Sequence, residues 1–65
     1  RARKAILIIL QQNGALAPLE IYNIAKEVMT DIDVVAIRNA ANRMMHEGIL
    51  KRDINSLYSI NHEYK

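Results

Sequence analysis

The stretch Asp33-Val34-Val35-Ala36-Ile37-Arg38-Asn39-Ala40-Ala41-Asn42-Arg43-Met44-Met45-His46-Glu47-Gly48-Ile49-Leu50 holds a whole helix, both of its boundaries and the first residues of the next element. Asp33 is favoured over Thr30 and Asp31 as the N-cap, since a carboxylate there accepts from a backbone N–H that the first turn leaves unpaired. From about Val34 to Glu47, Val34, Ile37, Ala40 or Ala41, and Met44 recur at the spacing of one helical face. Gly48 ends the run, because glycine adopts the left-handed C-terminal conformation without a steric cost. Beyond it the period falls to two. Ile49-Leu50-Lys51-Arg52 and Leu57-Tyr58-Ser59-Ile60 read as two short strands, and Asp53 to Ser56 as the turn between them, with Asn55-Ser56 at its tip.

The other face of the helix carries Val35, Arg38, Asn39, Asn42, Arg43 and His46. Asparagine is a poor helix former, so two of them exposed in mid-helix do not serve the helix itself. No acid occurs between Asp33 and Glu47. Asn pairs bidentately with adenine, Arg with guanine, and a small apolar side chain meets a thymine methyl. Val35, Arg38, Asn39, Asn42 and Arg43 are therefore the candidate base contacts; the alternative is an ordinary solvated face that lacks acids. His46, near the helix end, is read as a solvated side chain that complements the terminal carbonyls. Met44 and Met45 are read as core filler.

Upstream, Arg3 to Asn13 reads as a helix with Ile6, Leu7 and Leu10 inward and Asn13-Gly14 as its stop. Ile8 and Ile9 extend its apolar surface. The two form a candidate dimer patch, Ile8 above all because it lies farthest from the inner stripe; the alternative is that the C-terminal strand or tail covers one or both. Ala15-Leu16-Ala17 is an extended connector, the geometry favoured before Pro18. Pro18 suits the first turn of a second helix, and Glu20 complements its dipole. Ile21, Ile24, Ala25 and Val28 then mark the inner face of that helix. The tail from Asn61 to Lys65 is polar and expected to be loose.

Sixty-five residues make a single domain, spanning 1–65, with a small core. Hydrophobic residues make up 51% of the chain and the only aromatics are three Tyr, so the core must come from Ile, Leu, Val, Met and Ala. Without cysteine there is no disulfide scaffold and no thiolate metal site, which fits an intracellular protein, cytoplasmic or in the nucleoid or nucleus. His46 and His62 have no ligand-like spacing, and no metal or cofactor is expected. The apolar run Ala5 to Leu10 is too short to span a membrane. No Gly-rich phosphate loop or nucleophile–base pair is visible, so no enzyme and no small-molecule substrate are expected. The chain starts without Met and begins and ends in charged residues, the pattern of a piece of a longer protein. A net charge of +2 permits nucleic-acid binding without requiring it.

The order helix, helix, helix, hairpin, with Arg3-Lys4-Ala5-Ile6-Leu7, Leu10, Gly14-Ala15-Leu16-Ala17-Pro18-Leu19-Glu20-Ile21, Ala25-Lys26-Glu27-Val28, Ile37 to Leu50 and Leu57-Tyr58-Ser59-Ile60, resembles the winged helix-turn-helix superfamily. The resemblance implies a mainly α fold of three helices and a short β-hairpin wing. It also implies a recognition helix at Val34 to Glu47 and phosphate contacts from the basic pair Lys51 and Arg52. Two departures stand out. Alanines replace the larger residues usual on the third helix, and the wing holds the acid Asp53 in place of a Gly- and Lys-rich tip.

Candidate phosphate contacts are then Arg1, Arg3 and Lys4 at the N-terminus, Tyr22, and Lys51 and Arg52. The rival readings are a solvated terminus, a Tyr that rims the core, and edge-strand charges that block unwanted pairing. The expected partner is double-stranded DNA, with helix 3 in the major groove of a sequence-specific site and a homodimer through helix 1 as an option. A transcriptional regulator, or the DNA-binding part of a replication or mobile-element protein, fits this pattern. The alternative is a winged helix used for protein contact in a transcription or replication assembly, since one scaffold hosts both uses.

Overall fold

The structure, a computed structural model, describes residues 2–63. Three helices, α1 (Ala2–Asn13), α2 (Pro18–Ala25) and α3 (Val34–His46), precede an antiparallel hairpin of β1 (Leu50–Arg52) and β2 (Tyr58–Ile60). The fold is mainly α with a small β-hairpin. The third helix, the hairpin and their order match the sequence reading, with Ile49 and Leu57 left just outside the strands. None of the helices among the described residues is long and apolar enough to cross a membrane.

The helix boundaries stem from local chemistry. The Asp33 carboxylate accepts the Ala36 N–H at 2.8 Å, so Asp33 is the N-cap of α3. At the other end Gly48 has φ +87°, the Ile49 N–H reaches the Met44 carbonyl and the Gly48 N–H reaches that of Met45. Those two bonds make a Schellman motif, which pairs carbonyls that the helix end would leave open. Gly14, at φ +79°, closes α1 through its N–H to the Leu10 carbonyl. Ala17 has no side chain to cap α2; instead the Glu20 carboxylate turns back to the Ala17 N–H at 2.8 Å.

Ile6, Ile21 and Ile37, one from each helix, are fully buried together with Met44 and Leu50. Ala25, Ala40 and Ala41 join them, and these short side chains let the helices approach closely. On α1 the inward residues are Ile6, Ile9 and Leu10, with Leu7 half-buried at the margin. Ile9 thus takes the place expected of Leu7, because β2 packs on α1 and widens the covered arc.

Two expectations fail downstream. Helical spacing puts Val28 inward, yet it is 82% exposed, and Ile24 is exposed as well. The physical reason is the early end of α2: the Glu27 and Val28 N–H groups bond three residues back, to Ile24 and Ala25, and this tightened turn swings Val28 outward. Ile32 packs on the core instead. Nor is the tail loose at its start. The Asn61 N–H bonds the Ile49 carbonyl at 3.0 Å and its side-chain amide bonds the Gly48 carbonyl at 2.8 Å. Tyr64 and Lys65 lie outside the described residues.

The connector does more than extend. Leu16 and Tyr58 exchange both backbone hydrogen bonds, at 2.9 and 2.7 Å, as an antiparallel bridge. β2 is therefore paired on both sides, by β1 in the register Leu50↔Ile60, Lys51↔Ser59, Arg52↔Tyr58 and by Leu16.

Candidate nucleic-acid interface

The outer face of α3 and the hairpin enclose an open cleft of about 300 Å³, lined by Pro18, Arg38, Asn39, Asn42, Arg52, Ser56 and Tyr58. Four of the residues singled out by sequence, Arg38, Asn39, Asn42 and Arg52, meet here. α3 delivers its three because positions one turn apart share a face. β1 delivers Arg52 because its cross-strand partner Tyr58 is anchored in the core. The Tyr58 ring lies 5.8 Å from the Arg52 guanidinium and its hydroxyl accepts from Arg52 Nη1 at 3.4 Å. That contact holds a cation at the cleft wall by stacking rather than by pairing with a carboxylate.

The turn beside the cleft is built by Asp53. Its Oδ1 accepts the N–H groups of Asn55 and Leu57 at 2.9 and 3.0 Å. Its main chain pairs with Leu57 and Ser56, and Ser56 sits at φ +64°. The acid that sets this hairpin apart from a Gly- and Lys-rich wing is spent on the loop's own backbone. The tip is therefore Ile54-Asn55 rather than Asn55-Ser56, because the Ser56 N–H closes the turn on the Asp53 carbonyl, and Ile54 is 97% exposed.

Other sequence candidates fall elsewhere. Lys51 precedes Arg52 by one residue, so the strand period sends it away from that cleft. It lines a second cleft with Gln11, Ser59, Ile60 and His62, against the end of α1. Arg3 forms an ion pair with Glu47, 2.7 Å from guanidinium to carboxylate, which ties the start of α1 to the end of α3. That hydrogen bond is the main cause holding the Glu47 carboxyl below the usual carboxylate range; desolvation opposes it, and the charges of Arg3 and Arg43 reinforce it. Arg43 therefore lies on the Glu47 side of α3, away from the cleft.

No protein-family model, curated protein or solved structure matches the chain.

Val35 and Lys4 are exposed, Val35 at the start of the outer face of α3 and Lys4 on α1. Tyr22 is half-buried rather than exposed and packs on the core, with Lys26 Nζ 5.6 Å from its ring. Arg1 lies outside the described residues. Ile8 is 47% exposed, and of its neighbours one turn away Lys4, Gln11 and Gln12 are polar and exposed while Ala5 is half-buried. Sequence reasoning misses Pro18, Ser56 and Tyr58 as cleft residues. Of these only Tyr58 carries a usable signal: it alternates along the strand from Leu57 to Ile60, and a buried position there fixes which face its cross-strand partner shares.

Proposed function

We propose that this chain is a winged helix-turn-helix module that binds double-stranded DNA, with α3 in the major groove and the hairpin root on the adjoining backbone. The observation that carries the reading is the cleft in which Arg38, Asn39 and Asn42 of α3 stand opposite Arg52 of β1. Amides and guanidinium groups on a helix are base-reading chemistry. A cation set beside them on a second element is phosphate-positioning chemistry. In this reading Val35, Arg38, Asn39 and Asn42 face the bases, Arg43 flanks them, and Arg52 meets the backbone. Lys51 and Arg3 drop out of the first contact set, since one lines the other cleft and the other is held by Glu47. The module is a binder rather than a catalyst, and it acts inside the cell.

A second copy through Ile8 does not enter the proposal. A stable interface buries about 800 Å² on each partner, whereas the apolar surface here is one large side chain and the half-buried Ala5, with Lys4, Gln11 and Gln12 around them. A protein-contact role has one observation in its favour: the exposed apolar side chains Ile54 and Val28.

A binding-site selection from random duplex, repeated with Asn39→Ala, Asn42→Ala, Arg52→Ala and Lys51→Ala, separates the two uses. Losing an adenine-paired Asn removes about 1–3 kcal/mol of discrimination at one position. Arg52→Ala weakens all sequences alike and lowers the salt slope by about one, while Lys51→Ala changes little. A parent domain that selects no DNA replaces this reading with the protein-contact one.

A further inference from the structure

The most outward line of α3 runs Val35, Asn39, Asn42, His46, at spacings of four, three and four residues. It lies opposite the buried line of Ile37, Ala40, Ala41 and Met44. At 1.5 Å per residue the exposed line is about 16 Å long, and three of its four members belong to the proposed contact set. The fourth, His46, is exposed in the last turn of the helix.

That end of α3 is electronegative. The helix dipole leaves its C-terminal end partly negative even with the last-turn carbonyls paired, and Glu47 adds a carboxylate. A phosphate approaching it must be met by cations, and the basic residues of the last turn are Arg43 and His46. Arg3, reaching across from α1, already neutralises Glu47 through their ion pair. On α3, Arg43 lies one turn before His46 and Glu47 follows it directly, and Arg3 of α1 reaches this end through Glu47.

We propose that His46 belongs to the DNA-contacting surface and meets a backbone phosphate as an imidazolium. The inference rests on the DNA-binding reading and adds to it: binding takes up a proton. Since free imidazole changes charge near neutrality, affinity then rises as pH falls across that range.

The test is fluorescence anisotropy of a labelled mixed-sequence 20-base-pair duplex at constant ionic strength, from about pH 8.5 to about pH 6, with the parent chain, His46→Gln and His62→Gln. A phosphate contact is indifferent to base sequence, so this duplex suffices. We expect the parent and His62→Gln to bind about three- to tenfold more tightly at the acid end. His46→Gln stays flat across the range. Its circular dichroism, equal to that of the parent, shows the fold intact. A His46→Gln variant that keeps the pH dependence, or a parent that binds with none, overturns the inference and leaves the DNA-binding reading standing. A parent that fails to bind at any pH overturns both.

Discussion

Replacing Asp33 with Ala removes the acceptor that closes the first turn of α3, and the contact itself sets the size of the effect. The Asp33 carboxylate takes the Ala36 N–H at 2.8 Å on an exposed surface. Loss of an N-cap hydrogen bond costs about 1 kcal/mol, within a range of about 0.5–2. The charge at the positive end of the helix adds roughly 0.3 kcal/mol at such an exposed site. A domain of this size has on the order of 3–10 kcal/mol in total, and each kcal/mol moves its midpoint by about 4–8 °C. Asp33→Ala is therefore expected to melt roughly 5–10 °C below the parent, read by circular dichroism at neutral pH. The whole transition should shift, because α3 supplies Ile37, Ala40, Ala41 and Met44 to the single core. Asp33→Asn keeps a carbonyl oxygen in the same place and recovers most of the loss. Thr30→Ala, at a rival cap position that the structure does not use, changes little. The reasoning is refuted if Asp33→Ala melts with the parent, or if Asp33→Asn falls as far as Asp33→Ala.

The lowered Glu47 titration makes a pH prediction. A carboxyl whose folded value lies below its unfolded one stabilises the fold above the unfolded value, and loses that contribution as pH falls through the folded one. Arg3→Gln should raise the Glu47 titration seen by carboxyl NMR, and the stability gap between parent and variant should close in acid; an unmoved titration removes Arg3 as the cause. In the hairpin, Asp53→Ala frees the Asn55 and Leu57 amides, costs about 1 kcal/mol and speeds their hydrogen exchange. Asp53→Asn retains the acceptor and protects them, and equal exchange in both variants would show that Asp53 does not hold the turn.

The features legible in the sequence are those that depend on neighbours in the chain. The Asp33 cap, the Gly14 and Gly48 stops and the switch to period two at Gly48 each involve residues within a few positions of one another. The inner face of α3 is legible for the same reason. Val28 misleads because helical spacing persists in the letters after the backbone has tightened at Ala25. For Ile9 the sequence leaves two readings open, a dimer patch or cover by the C-terminal strand, and the packing of β2 on α1 decides for the second. Arg3 with Glu47, and Leu16 with Tyr58, join residues too far apart for any local pattern to reveal. For the candidate site, Arg38, Asn39 and Asn42 can be grouped from helical spacing alone. Lys51 and Arg52 look like a basic pair, although adjacency on a strand separates side chains rather than joining them.

The bridge between Leu16 and Tyr58 makes β2 the middle member of a three-segment arrangement. A two-stranded hairpin depends on its turn for register and is marginal in water, but here β2 is also located from the side away from β1. The turn is thereby relieved of setting the alignment of the strand after it. Ile54 and Asn55, at the tip, are the part of the hairpin whose side chains can change while Arg52 and Tyr58 stay opposite each other. The scaffold separates a fixed cleft wall from a variable tip, so descendants of this chain can alter what the hairpin tip touches without re-solving the fold.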